Sequence, residues 1–182
     1  MKTINNYICN RQPKEKLNKI IKYVSPAGDL EMAFSDRGLL MLDWTANKRH
    51  EDFISRFRDI IIEPSTWQVE KLTLMLDRYF RAESEKFEIA VDLRFSSEFA
   101  TLVLSRLVEI PYGTTMTYSD YARLLGREEA VRAVSGAIAR NPISIVIPCH
   151  RIVGAGNRLT GYAGGLDSKR YLLQLESVTS VH

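Results

Sequence analysis

Residues 141–151 constrain the chain more than any other stretch. Asn141-Pro142 is a stop signal, Ile143 to Ile147 is an apolar run of strand length, and Pro148 closes it before Cys149-His150-Arg151. Such a run between turn residues fits a short buried strand. Beyond it lies Gly154 to Gly165, a segment holding five glycines. A thiol is a weak nucleophile until it becomes a thiolate, and an adjacent histidine or cation is the usual means. The arrangement therefore predicts a reactive thiol at the end of a buried strand. The competing reading is a structural cysteine, the commoner fate of a lone one; the polar, proline-punctuated context argues against it. Consecutive side chains of an extended segment point to opposite sides. A water bridge between Cys149 and His150 is then as reasonable as a direct contact.

Composition narrows the rest. With 182 residues and 45% hydrophobic content, the chain has material for one large or two small domains. No apolar run approaches the roughly 18 residues that cross a membrane. Met1 to Lys22 is polar and lysine-rich, without the apolar centre of a secretory signal. Cys9 and Cys149 make no disulfide framework, so a reducing, cytoplasmic setting is expected, or a nuclear one in a eukaryote. His50, His150 and His182 show no metal-ligand spacing, and no phosphate-binding glycine motif is present. No metal and no cofactor are expected. Residues 1–110 carry 17 Lys/Arg against 17 Asp/Glu, while residues 111–182 carry 8 against 5. The whole cationic excess lies in the second part, mostly as arginine, a weak pointer to phosphate.

Residues 1–16 lack periodicity and read as a loose extension. Ile20 to Val24, Leu30 to Phe34 and Leu39 to Trp44, separated by turn-forming clusters, predict an antiparallel meander. Lys48 to Ile61 is helix-compatible. Thr66 to Arg81 is a stronger helix, with Val69, Leu72, Leu76, Tyr79 and Phe80 on one face, and Lys86 to Val91 is a candidate returning strand. Phe99, Val103, Leu107 and Ile110 recur at helical spacing up to Pro111-Tyr112-Gly113. Thr117-x-x-Asp120 then opens a helix that stops at Gly126, and a second runs from Glu128 to Arg140. Two short helices about a glycine turn suggest a helix-turn-helix, with an ordinary helical hairpin as the alternative. On the second helix Val131, Val134 and Ile138 share one side, and Arg132, Ser135, Gly136 and Ala139 the other. A face this small can lie close to a nucleic-acid groove or to a partner helix. The expected domains are 1–92 and 97–182, with Arg94 to Ser97 as the joint.

Seven motifs occur in one order: Ile110-Pro111-Tyr112-Gly113, Thr117-Tyr118, Arg132-Ala133-Val134, Asn141-Pro142, Ile147-Pro148-Cys149-His150-Arg151, Gly161-Tyr162-Ala163-Gly164-Gly165 and Leu172-Leu173-Gln174-Leu175-Glu176. This series resembles the methylated-DNA–protein-cysteine methyltransferases, the O6-alkylguanine-DNA alkyltransferases. The likeness is strong over Phe99 to Glu176 and loose over Lys22 to Asp92. It implies an α+β protein: a small ribonuclease H-like N-terminal α/β domain with an antiparallel sheet, and a mostly helical C-terminal domain with a winged helix-turn-helix. It implies direct-reversal DNA repair by a monomer acting in the minor groove of double-stranded DNA. An alkyl group on O6 of guanine, or O4 of thymine, would pass irreversibly to Cys149 after the nucleotide is flipped out.

The same resemblance assigns roles. Cys149 is the nucleophile, and a relay runs to it from Glu176 through His150 and water. Asn141 braces the turn that carries the active-site segment, and Tyr118 protonates the departing base. Arg132 fills the gap left in the base stack; Tyr118, Ser135, Gly136 and Arg151 join it at the DNA. Tyr162, Ala163, Gly164 and Pro148 line the alkylguanine pocket. Without the resemblance, Glu176 reads as an exposed helix-end carboxylate, Asn141 as a turn former and Tyr118 as a core residue. The chain departs from the family pattern at Ala100, Leu104, Ser135, Thr160 and Ala163. None of these removes a catalytic group, and Thr160 bears on the size of alkyl group admitted. Alkyltransferase-like binding proteins lack the cysteine, and a cysteine hydrolase would need an oxyanion site. Cys149, His150 and Glu176 together favour the transferase.

Overall fold

The computed structural model describes residues 20–177. The expected loose extension, with Cys9, and His182 lie outside the described residues. Three antiparallel strands, β1 (Ile21–Ser25), β2 (Gly28–Ser35) and β3 (Gly38–Trp44), form the meander in the order β1-β2-β3. The register pairs Leu30 with Trp44 and Met32 with Leu42, with a shift at Ala33/Phe34. From Leu39 onward every residue of β3 is buried, because both faces of the strand are covered. Leu39, Leu42 and Trp44 enter the main core, while Leu40 and Met41 meet Ala33, Ile61 and the aromatic side of α1 (His50–Phe57). That helix is shorter than the span of residues 48–61 suggested.

The free edge of β3 organises the molecule. At its start the Leu39 N–H donates to Ala90 O (2.9 Å), and Leu39 O accepts from the Asp92 N–H (2.8 Å). At its end the Leu42 N–H donates to Pro142 O (2.9 Å), and Leu42 O accepts from the Ser144 N–H (2.7 Å). Two expected strands are thereby corrected. Residues 86–91 and 143–147 each touch the sheet through a single parallel bridge, Leu39 with Val91 and Leu42 with Ile143. The second segment departs after Ser144 because Ile145 takes a φ of 69°. That left-handed conformation is unfavourable for a β-branched residue, and it turns an apolar run of strand composition into a tight buried turn.

Helix α2 (Thr66–Phe80) starts at a full capping box between Ser65 and Gln68 and buries Leu72, Leu76 and Tyr79. Helix α3 (Glu98–Leu107) is capped by Ser97 and buries Val103, Leu104 and Leu107. It ends before Ile110, which stays buried in the following turn. A two-residue strand, β4 (Met116–Thr117), precedes α4 (Tyr118–Leu124), whose N-cap Thr117 accepts from the Asp120 N–H. Gly126, at a φ of 65°, reverses the chain where an added Cβ would touch nothing; the requirement is conformational. A 3₁₀ turn, Glu128–Ala130, leads into α5 (Val131–Ile138). Helices α3 and α4 both pack on α5, which buries Val134, Ala137 and Ile138 and leaves Arg132 exposed. Strand β5 (Ile152–Val153) pairs in parallel with β4, and α6 (Gly165–Leu175) closes the fold. One core cluster joins residues of β2 and β3, α2, α3, α5, the 143–149 turn and α6. Among the described residues, no helix is long and apolar enough to cross a membrane.

Candidate active site

Cys149 opens a 3₁₀ turn, Cys149–Arg151, where an extended exit was expected. Its N–H donates to Ile147 O (2.8 Å). Asn141 makes that turn possible. Its Nδ2 donates to Ile147 O (2.9 Å) and Ile143 O (3.3 Å), and its Oδ1 accepts from the Ile143 N–H (3.0 Å). One amide side chain therefore replaces the strand partners that residues 143–147 lack.

The buried carboxylate of Glu176, the C-cap of α6, is the hub of the site. Its Oε1 accepts from Tyr79 Oη (2.7 Å), His150 Nε2 (2.8 Å) and Arg151 Nη2 (3.0 Å). Its Oε2 accepts from Arg151 Nε (2.9 Å) and the Gly113 N–H (3.3 Å). Burial alone would raise its pKa, but the hydrogen bonds from His150 and Arg151 and the Arg151 charge prevail and bring it to about 2. The reading as an exposed helix-end carboxylate is thus corrected.

The hub fixes the state of His150. An ionised carboxylate only accepts, so Nε2 must carry a proton. Complete burial pushes the imidazole pKa down against the pull of Glu176, so the ring is neutral and Nδ1 is unprotonated. This Nδ1 is buried without a hydrogen-bond partner. No protein group meets this Nδ1, so it is the ring atom able to take up a proton.

The resting thiol is not a thiolate. Burial raises the Cys149 pKa to about 11, against smaller opposing effects of the Asn141 hydrogen bond and the Lys169 charge. Its deprotonation therefore belongs to the reaction rather than to the resting state.

Arg151 was expected at a DNA surface. It is buried instead, with Nη1 on Ile110 O (2.7 Å) and the rest of its guanidinium on Glu176. Three of its N–H groups are engaged there, and the side chain faces the interior. Pro148 is also buried, and it lines a hollow with Ile145, Val146, Val108 and residues 85–88. Tyr118, at the first turn of α4, is half-buried; burial raises its pKa, so it carries its proton at neutral pH. Tyr162 accepts from Trp44 Nε1 (3.2 Å) and lies close enough to Cys149 to feel a charge formed there. Ala163 and Gly164 follow, both half-buried. Arg132, Ser135 and Gly136 sit together on the outward side of α5, apart from the buried cluster.

Three contributors were not foreseen. Tyr79 was read only as part of an apolar face, although a buried phenol needs a partner for its hydroxyl. Trp44 was read as the end of a strand. Lys169 is fully buried, with Nζ donating to Ile152 O (2.6 Å) and Thr160 O (2.9 Å); burial lowers its pKa to about 8. A signal for it existed. Residues 169, 172, 173 and 176 lie at helical spacing on one face, so both charged members of that set were due to be buried with the leucines.

Known proteins resemble this chain over both of its halves. Residues 98–178 match the model of the 6-O-methylguanine DNA methyltransferase DNA binding domain, and residues 19–93 that of its ribonuclease-like domain. The chain is 38% identical over 157 residues to the methylated-DNA–protein-cysteine methyltransferase of Methanosarcina barkeri, covering 84% of this chain and 92% of that protein. The Mycobacterium tuberculosis OGT in complex with DNA superposes with a TM-score of 0.74 at 34% identity, covering 88% of this chain and 92% of that one. An O6-methylguanine DNA methyltransferase from Methanococcus jannaschii gives 0.61 at 31% identity, covering 90% and 95%. With both domains matched in order over most of its length, the chain belongs to the methylated-DNA–protein-cysteine methyltransferase family.

Proposed function

We propose that this protein repairs DNA by taking an alkyl group from O6 of guanine, and from O4 of thymine, onto Cys149. The observation that carries the reading is the buried pair Glu176–His150, which leaves Nδ1 as the basic ring atom on the residue next to a buried thiol. The Cys149 proton passes to His150 Nδ1, directly or through one water. Sγ then attacks the sp³ carbon, the carbon–sulfur bond forms, and the carbon–oxygen bond breaks with its electron pair going to the base. Tyr118 supplies a proton to the departing guanine, and the proton left on His150 makes good the loss. One proton leaves the protein thiol and one arrives on the base. Glu176 stays ionised and stabilises the transient imidazolium.

Double-stranded DNA is the partner. The small outward face of α5 is read as lying in the minor groove, with Arg132 occupying the gap left by the flipped nucleotide. Residues 152–160 take the part of the wing. Residues 1–92 and 97–182 act as the two domains of a monomer, in the cytoplasm or, in a eukaryote, the nucleus. Incubation with duplex DNA bearing O6-methylguanine, then peptide mass analysis, tests the reading. About 14 Da, a CH₂ on an activated thiol nucleophile, should appear on the Cys149 peptide and be absent from Cys149→Ala. Unmodified Cys149 alongside undamaged binding would favour a non-catalytic reader of alkylated bases.

A further inference from the structure

The first half of the chain supplies a wall to the site. Trp44, the last residue of β3, is buried to 1% exposure. Its indole N–H donates to Tyr162 Oη, and the two rings meet edge to face at 5.9 Å. Its ring also lies directly behind Gly164: a Cβ built there would fall 2.6 Å from the indole. The hairpin tip between β1 and β2 adds a second hold, since Ala27 O accepts from Ser168 Oγ (2.6 Å) at the start of α6. The loop of residues 161–165 has little regular structure of its own. Its outer side is therefore set by Trp44.

We propose that Trp44 is a positioning residue that determines specificity: it fixes how far the Tyr162–Gly164 loop stands from Cys149, and hence how large an alkyl group the site accepts. The proposal rests on the alkyl-transfer reading above. The loop is pinned at one face by the indole, and Tyr162 within it lies near Cys149. Removing the indole lets the loop retreat and the pocket widen; crowding the contact drives the loop towards the thiol and narrows it. Neither change touches Cys149, His150 or Glu176.

The test compares the rates of transfer to Cys149 from duplex DNA carrying O6-methylguanine and O6-benzylguanine. Trp44→Ala should raise the benzyl-to-methyl ratio about tenfold, the scale on which pocket size discriminates apolar groups. Gly164→Ala, which collides with the indole, should lower it, and the double variant should return towards the wild-type ratio because the added methyl then has room. Circular dichroism and melting curves confirm that each variant is folded; if Trp44→Ala does not fold, Trp44→Phe and Gly164→Ala carry the comparison. An unchanged ratio in folded variants overturns the inference while leaving the transfer reading intact. Wild-type protein that transfers neither group to Cys149 overturns the reading itself.

Discussion

At the scale of single residues, the site is a proton circuit held at rest. Cys149 keeps its proton because it is buried, His150 is neutral for the same reason, and Glu176 is charged because five donors surround it. A thiol near 11 should react slowly with iodoacetamide at neutral pH, and the labelling rate at Cys149, read by peptide mapping, should climb tenfold per pH unit through pH 9. A plateau below pH 8 would show that the resting group is already a thiolate. Replacing Glu176 by Gln keeps the shape but removes the charge that orders His150 and neutralises Arg151. Alkyl transfer should fall by about 10²-fold or more, and breaking the buried pair should cost about 3–5 kcal/mol of stability, with DNA affinity nearly unchanged. Wild-type transfer rates in that variant would reduce Glu176 to a structural role. The sequence named Cys149, His150 and Glu176 because the motif order is so specific. It misplaced Arg151, since nothing in one dimension separates an arginine that meets phosphate from one that meets a buried carboxylate.

At the scale of elements, strand β3 and helix α5 divide the work. The end of β3 carries Asp43, a buried carboxyl that accepts from the Trp44 N–H (2.9 Å) and Asn47 Nδ2 (2.6 Å) and lies 3.5 Å from Ser144 Oγ in the active-site turn. Burial raises its pKa from 3.8 to about 6, against those hydrogen bonds and the charge of His50. The folded state thus holds the Asp43 proton more tightly than the unfolded chain. Its contribution to stability falls as pH rises from about 4 through 6, by up to roughly 3 kcal/mol. Asp43→Asn should remove that loss, so the variant gains on wild type between pH 4 and pH 7 in denaturant melts. Parallel curves would contradict the assignment. On α5, Arg132→Ala should slow repair of O6-methylguanine more when the base is paired than when it is mismatched, because a mismatched base is cheaper to extrude. Equal losses on both duplexes would remove the gap-filling role. The helices were legible because caps and apolar periodicity mark them locally. The segment 143–147 was not, because its turn depends on the Asn141 side chain and on a left-handed Ile145, neither of which its apolar composition announces.

At the scale of the whole molecule, the two halves share one core and one site. The sequence separates them at residues 92–97, and the matched domain models end and begin there, at 93 and 98. What composition could not reveal is that β3 holds the active-site turn through Leu42 and the pocket loop through Trp44. Contacts that close over such sequence separation leave no local pattern. The whole assembly serves a single transfer to one atom. A thioether has no good leaving group at neutral pH, and among the described residues Cys149 is the only cysteine. Titration of the protein with excess duplex O6-methylguanine tests this most directly. Repaired guanine should plateau at one equivalent per protein, with all added mass on the Cys149 peptide; repair continuing well past one equivalent, or a methyl group on Cys9, would contradict it.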